Sequence, residues 1–193
     1  MKDNITLVFG DSIVYGVGDT KFGGWVNRLK IYLSKKFNNQ YVFNLGIPGQ
    51  NSNDILNRIE LEIKNRFSKD DSFTFIFAFG IKDALLLSEN EKHIEVFENN
   101  LKKIINIAQN YSDDIHCLGL LDVNITKRIN YKYESINKIE NCIETISAQE
   151  NVDFIKIRKV ISLEDLIDGL HPNINGHKKL KNYIAKKIYK LGV

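Results

Sequence analysis

Five short apolar runs alternate along this chain with longer stretches whose apolar residues recur every three or four positions. The runs are residues 5–9 (ITLVF), 41–45 (YVFNL), 73–79 (FTFIFAF), 115–121 and 152–157. They are of strand length, and 73–79, apolar and aromatic almost throughout, reads as a strand buried on both faces. Between the runs, Trp25, Leu29, Tyr32 and Leu33 mark a helix over 24–37, and Ile55, Ile59 and Ile63 a second over 53–67. Ile94, Phe97, Leu101, Ile104, Ile105 and Ala108 mark a third over 94–111. Ile136, Ile139, Ile143 and Ile146 mark a fourth over 131–147, and a fifth covers 174–190 behind an Asn173 cap. Strand and helix in alternation predict an α/β fold, a three-layer α/β/α sandwich around a mostly parallel sheet. Right-handed crossovers then cover both sheet faces with helices. No Pro/Gly/Ser-rich linker and no repeat divides the chain, so residues 1–193 read as one domain.

Composition narrows the classes without choosing among enzymes. Hydrophobic residues make up 43% and charged residues 26%, which excludes a disordered chain, a collagen-like repeat and a coiled coil. The net charge of +3 comes with no long block of like charge, so nucleic acid is not an expected partner. The first apolar run is too short for a signal peptide, and no stretch is long enough to span a membrane. Cys117 lies in an apolar run and Cys142 in a helix-like stretch, without CxxC spacing. They read as buried reduced thiols, with no zinc site expected. A cytoplasmic location follows as the expectation.

In open parallel sheets the ligand sits beyond the carboxyl ends of the strands. The residues that follow each run therefore carry the candidate chemistry. Ser12 follows the first run directly, in Phe9-Gly10-Asp11-Ser12, where its hydroxyl can be presented at the mouth of the sheet. A serine there also serves as an ordinary helix cap, and the G-x-S-x-G elbow of α/β-hydrolases is absent. Asp168 stands three residues before His171, on a loop eased by Gly169 and stiffened by Pro172. That spacing lets the carboxylate curl back to the imidazole Nδ1, leaving Nε2 to take a proton from a serine. Gly46, after the second run, can bring a backbone N–H close to an oxyanion, or can simply end a strand. Gly80-Ile81-Lys82-Asp83 follows the third run, where Lys82 is a candidate side-chain donor.

These blocks, Gly-Asp-Ser, Gly, Gly-x-x-Asp and Asp-x-x-His, occur in the order found in SGNH hydrolases, the GDSL-type esterase/lipase superfamily, which the chain resembles from Phe9 to its last helix. Gly24-Trp25 and Gly176-His177 add to the likeness. The resemblance implies a flavodoxin-like five-stranded sheet in the order 2-1-3-4-5. It implies Ser12 as nucleophile, His171 as general base and then acid, and Asp168 as the residue that orients it. It also implies an oxyanion hole from the Ser12 N–H, the Gly46 N–H and an asparagine side chain of the third block. Here the sequence departs from the pattern. The family has Gly-x-Asn-Asp, this chain has Lys82 in the asparagine position, and no asparagine lies between Asn65 and Asn90.

The expected function is a serine esterase of small or medium acyl esters that uses no metal or organic cofactor. The alternative is a weak or inactive member that binds an ester or carbohydrate, with Lys82 as its support. A nucleotide site is disfavoured, because the first loop lacks both G-x-G-x-x-G and a P-loop Gly-Lys-Ser/Thr. His93 and His116 read as structural or solvated, His177 as a packing or capping residue, and Trp25 as packing the first helix on the sheet. The lysines of the last helix read as a solvated face. Acyl length and alcohol depend on the loops 17–23 and 122–131.

Overall fold

In the computed structural model, which describes residues 2–191, the five apolar runs pair into one parallel sheet. The strands are β1 (Asn4–Gly10), β2 (Gln40–Gly46), β3 (Ser72–Ala78), β4 (Ile115–Leu118) and β5 (Asp153–Ile155). Their order is β2-β1-β3-β4-β5, with every neighbouring pair parallel. Strands β1, β2 and β3 end level, since Gly10 pairs with Gly46 on one side and with Ala78 on the other.

The helices are α1 (Ser12–Tyr15), α2 (Gly24–Lys36), α3 (Ser52–Lys64), α4 (Ile81–Glu89), α5 (His93–Gln109), α6 (Tyr133–Gln149) and α7 (Ile174–Tyr189). Alternate residues of the central strands face opposite sides. Leu7, Phe9, Phe73, Phe75 and Phe77 join one core with residues of α3, α4, α5 and α6. Val8, Ile76 and Leu118 join another with residues of α2 and α7. Each fully buried Phe or Ile contributes roughly 1.5–3 kcal/mol of burial.

The structure departs from the sequence reading in its short elements. Helices α1 and α4 were not expected, and the run 115–121 is a strand only over Ile115–Leu118. Gly119 still donates its N–H to the Ile155 carbonyl at 3.0 Å, while Leu120 and Leu121 run on outside the strand, one buried in each core. Helix α4 has its signal in plain view: Ile81, Ala84 and Leu87 are buried at three-residue steps. The signal is drowned by the apolar run that precedes it. Both cysteines are free and buried, and burial pushes each thiol up to about 12. Trp25 packs in the α2/α7 core at 1% exposure, as its helical spacing implies.

Candidate active site

The turn after β1 is tight because its glycines leave no room. A Cβ on Gly10 would sit 2.2 Å from Val14 Cγ2 and 2.4 Å from the Ala78 carbonyl oxygen. Asp11 caps α1 by accepting the Ile13 N–H at 2.9 Å, and Ser12 begins the helix. Burial, with the Asp83 carboxylate nearby, pushes Asp11 up to about 7, against the lowering effect of the Ile13 N–H. Behind Asp11 lies a cavity of about 30 Å³, lined mainly by Trp25, Phe79, Leu121 and Ile184. The Ser12 N–H, as the first of α1, has no acceptor among the described residues.

Asp168 and His171 lie in a narrow loop closed by a bridge between Leu166 and Pro172. The Ile167 N–H donates to the His171 carbonyl at 2.9 Å, and Asp168 Oδ1 accepts the N–H groups of Leu170 at 3.0 Å and His171 at 2.9 Å. Gly169 makes the turn with φ 87°. Asp168 Oδ2 is 2.7 Å from His171 Nδ1, and His171 Nε2 is 2.9 Å from Ser12 Oγ. An ionised carboxylate only accepts, so Nδ1 carries the proton and Nε2 is free to accept one from the serine. Burial alone would raise Asp168, but the backbone N–H and the ring of His171 together with the Leu170 N–H bring it down to about 2.

Arg128 gives Asp168 a further partner that the sequence did not reveal. Its Nη2 donates to Asp168 Oδ2, and its Nε to the Asp168 carbonyl oxygen at 3.1 Å. The loop that carries it is tied to the Asp168 loop by the Asn124 N–H, which donates to the Gly169 carbonyl at 2.8 Å.

Gly46 does not present a free N–H. It donates to Asn44 Oδ1 at 3.0 Å, while Asn44 Nδ2 donates to the Val14 carbonyl at 2.9 Å. Glycine is required there for space, since a Cβ would lie 2.2 Å from the Tyr15 backbone nitrogen. Three residues on, Gly49 has φ 81°, open space around its Cβ position and an N–H without an acceptor among the described residues. Lys82 is the second residue of α4, half-buried, and its ammonium makes no hydrogen bond or ion pair within the described residues. Its neighbour Asp83 is buried, accepting from Ser52 Oγ at 2.7 Å and lying 3.0 Å from His93 Nε2. That contact makes His93 a tie between α4 and α5, as a structural reading requires.

Loop 17–23 is fixed by polar contacts as well as by glycine. Asp19 accepts from the backbone of Lys21, Phe22 and Gly24 and from Arg28 Nε at 2.5 Å. Burial opposes its charge, yet Arg28 and the backbone donors hold Asp19 below its ordinary value. His177 Nδ1 accepts the Trp25 N–H at 3.1 Å and its Nε2 donates to the Val17 carbonyl at 3.0 Å. Both ring nitrogens are thus occupied, and burial lowers its affinity for a second proton. His116 lies far down β4, between Asp114 and Asp153. Beside α1, an open groove is lined by Tyr15, Val17, Thr20, Asn27 and Asn44. No group of three or more His, Cys, Asp or Glu side chains among the described residues is arranged to hold a metal ion. No described helix is long and apolar enough to cross a membrane.

A parallel α/β sheet with a serine, a histidine and a carboxylate aligned at its carboxyl edge is the arrangement of an acyl-transfer hydrolase. The chain belongs to the GDSL-like lipase/acylhydrolase family, whose model matches residues 8–179, and it is an ester-cleaving hydrolase. No curated relative matches it. Among solved structures it is similar to a lipase/acylhydrolase from Enterococcus faecalis, with a TM-score of 0.80 at 22% identity, covering 98% of this chain and 96% of that one. It is also similar to a variant of an acetyl xylan esterase from Geobacillus stearothermophilus, with a TM-score of 0.75 at 19% identity, covering 100% and 97%. An alpha/beta hydrolase enzyme from the metagenome of Lake Arreo, Spain, has a TM-score of 0.78 at 16% identity, covering 100% and 99%. Likeness at these identities speaks for the fold.

Proposed function

We propose that the chain is a serine esterase that cleaves small or medium acyl esters through an acyl-enzyme on Ser12. The observation that carries this reading is the line from Ser12 Oγ to His171 at 2.9 Å and from His171 to Asp168 at 2.7 Å. Ser12 Oγ bonds to the ester carbonyl carbon as its proton passes to His171 Nε2. The bond to the alcohol oxygen breaks, and that oxygen takes the proton. Water then adds to the acyl-serine, loses a proton to Nε2 and releases the acid, and the proton returns to Oγ. Asp168 holds the Nδ1–H throughout and stabilises the imidazolium. The scheme needs no metal or organic cofactor.

For the oxyanion we assign the Ser12 N–H, which has no acceptor among the described residues; the Gly46 N–H is held by Asn44 and would have to leave it to contribute. We take Lys82 to stand where the family has its asparagine. The open groove beside α1 offers room for the alcohol. Catalytic mutants of the Geobacillus stearothermophilus acetylxylan esterase replace a histidine in one case and a serine in another, which supports the assignment of both residue types. We take residues 1–193 as one functional unit. We place it in the cytoplasm, where two buried free cysteines stay reduced.

A panel of p-nitrophenyl esters of rising chain length, with fluorophosphonate labelling, tests the reading. Wild type should turn over the shorter esters and be labelled at Ser12, and Ser12→Ala should lose both. Labelling at another serine would overturn the assignment.

The second reading, a weakly active member that mainly binds its ligand, rests on Lys82. An ammonium in the first turn of α4 opposes the helix dipole and has no described partner. Donating to an oxyanion requires ordering a long side chain and stripping its water. Lys82→Asn should keep the fold and raise kcat, by up to about 10²-fold if a full donor is restored. A tenfold fall in kcat would instead make lysine a specialised donor.

A further inference from the structure

We propose that Arg128 is a positioning residue for the Asp168–His171 pair, holding the carboxylate at a fixed angle and sharing its charge with the imidazole. The inference rests on the serine-esterase reading. Its basis is geometric. Asp168 Oδ2 receives two donors at once, the His171 ring through Nδ1 and the Arg128 guanidinium through Nη2. The second arm of the fork, Nε, reaches the carbonyl oxygen of the same residue. Asp168 Oδ1 is taken by two backbone N–H groups. With both of its oxygens engaged, the carboxylate is held against rotation when His171 swings or changes charge. A fork is suited to this task because it fixes a plane as well as a distance.

The arrangement has an electrostatic side. Asp168 stabilises the cation that His171 becomes when it takes the serine proton. A guanidinium on the same oxygen draws on that same charge, so the imidazolium is stabilised less than it would be by Asp168 alone. A neutral ring is the form that accepts the proton, so Arg128 extends activity toward lower pH. Other ionisable groups face this pair from each packed element. Lys127 and Tyr131 lie on the Arg128 loop, Asp11 lies in the β1–α1 turn, and His177 lies on α7 with Asp19 and Arg28 behind it. All of them stay unchanged in the variants below.

The test compares wild type, Arg128→Met and Arg128→Lys in two measurements. These are kcat/KM against pH on the best ester of the panel, and the NMR titration of the His171 ring. In Arg128→Met the acid limb and the ring titration should both move to higher pH, by about half a unit to one unit for a site one-third exposed. Its kcat should fall roughly 10-fold as the carboxylate loses its fixed angle. Arg128→Lys keeps the charge and loses the fork, so its limb should stay near wild type while kcat falls. An unmoved limb in Arg128→Met, with only a lower melting temperature, would make Arg128 a plain anchor of its loop and overturn the proposal. Should Arg128→Met fail to fold, a wild-type kcat in Arg128→Lys would overturn it equally. If wild type turns over no ester, the esterase reading fails, and the ring titration still decides the role of Arg128.

Discussion

Asp11 shows how one side chain can serve structure and charge at cross purposes. Its carboxyl oxygen caps α1, yet it sits at 3% exposure beside the Asp83 carboxylate. In the folded chain it titrates at about 7, against 3.8 for a free carboxyl. Between those values the native state holds a proton that the unfolded chain has released. Its contribution to stability is therefore complete below about pH 4 and is lost as pH rises toward 7. Asp11→Asn keeps the capping oxygen and removes the titration. Melting temperature measured from pH 4 to 8 should fall with pH more steeply in wild type than in Asp11→Asn. Parallel curves would show that Asp11 ionises freely. Gly46 teaches a related lesson. A glycine after a strand serves equally as an amide donor or as clearance for a crossing backbone, and the sequence alone does not separate the two. Here clearance is the requirement, because Asn44 already holds the N–H.

At the scale of elements, the clearance at Gly46 sets the seat of α1 against the end of β2. Gly46→Ala would drive a methyl group into the backbone of Tyr15 and Val14, at 2.2 and 2.7 Å. A backbone contact has no flexible end to give way, so α1 must shift and take Ser12 with it. We expect a loss of about 2–3 kcal/mol and of most fluorophosphonate labelling, although the residue-46 N–H survives. Wild-type labelling in Gly46→Ala would show that the seat tolerates a methyl group. The long helices and central strands are legible in the sequence because each carries a full apolar period, such as Ile55, Ile59 and Ile63 on α3. The four-residue α1 and the end of β4 are not, since their limits come from neighbours packed against them. The same division holds at the candidate site. Ser12, and the pair Asp168 and His171, stand in short local blocks that can be read directly. Arg128 meets Asp168 across 40 positions, and a lone arginine in loop 122–131 carries no pattern that points there.

On the scale of the molecule, the two cores divide the work of holding the site. The larger, under α3 to α6, carries the aromatic ladder of β3, from Phe73 through Phe75 to Phe77. The smaller joins α2 to α7 and so unites the two ends of the sequence. His177 ties α7 to Val17 and Trp25, and Gly18 passes so close to Pro172 that a Cβ there would lie 2.1 Å from its carbonyl oxygen. Ser12 and His171 meet across 159 positions of chain. A ribosome therefore makes Ser12 159 residues ahead of the histidine it meets. Until residue 171 has cleared the exit tunnel, the proposed nucleophile lacks the imidazole assigned to take its proton. On the proposed mechanism, a product truncated ahead of His171 is chemically silent however well its sheet has formed.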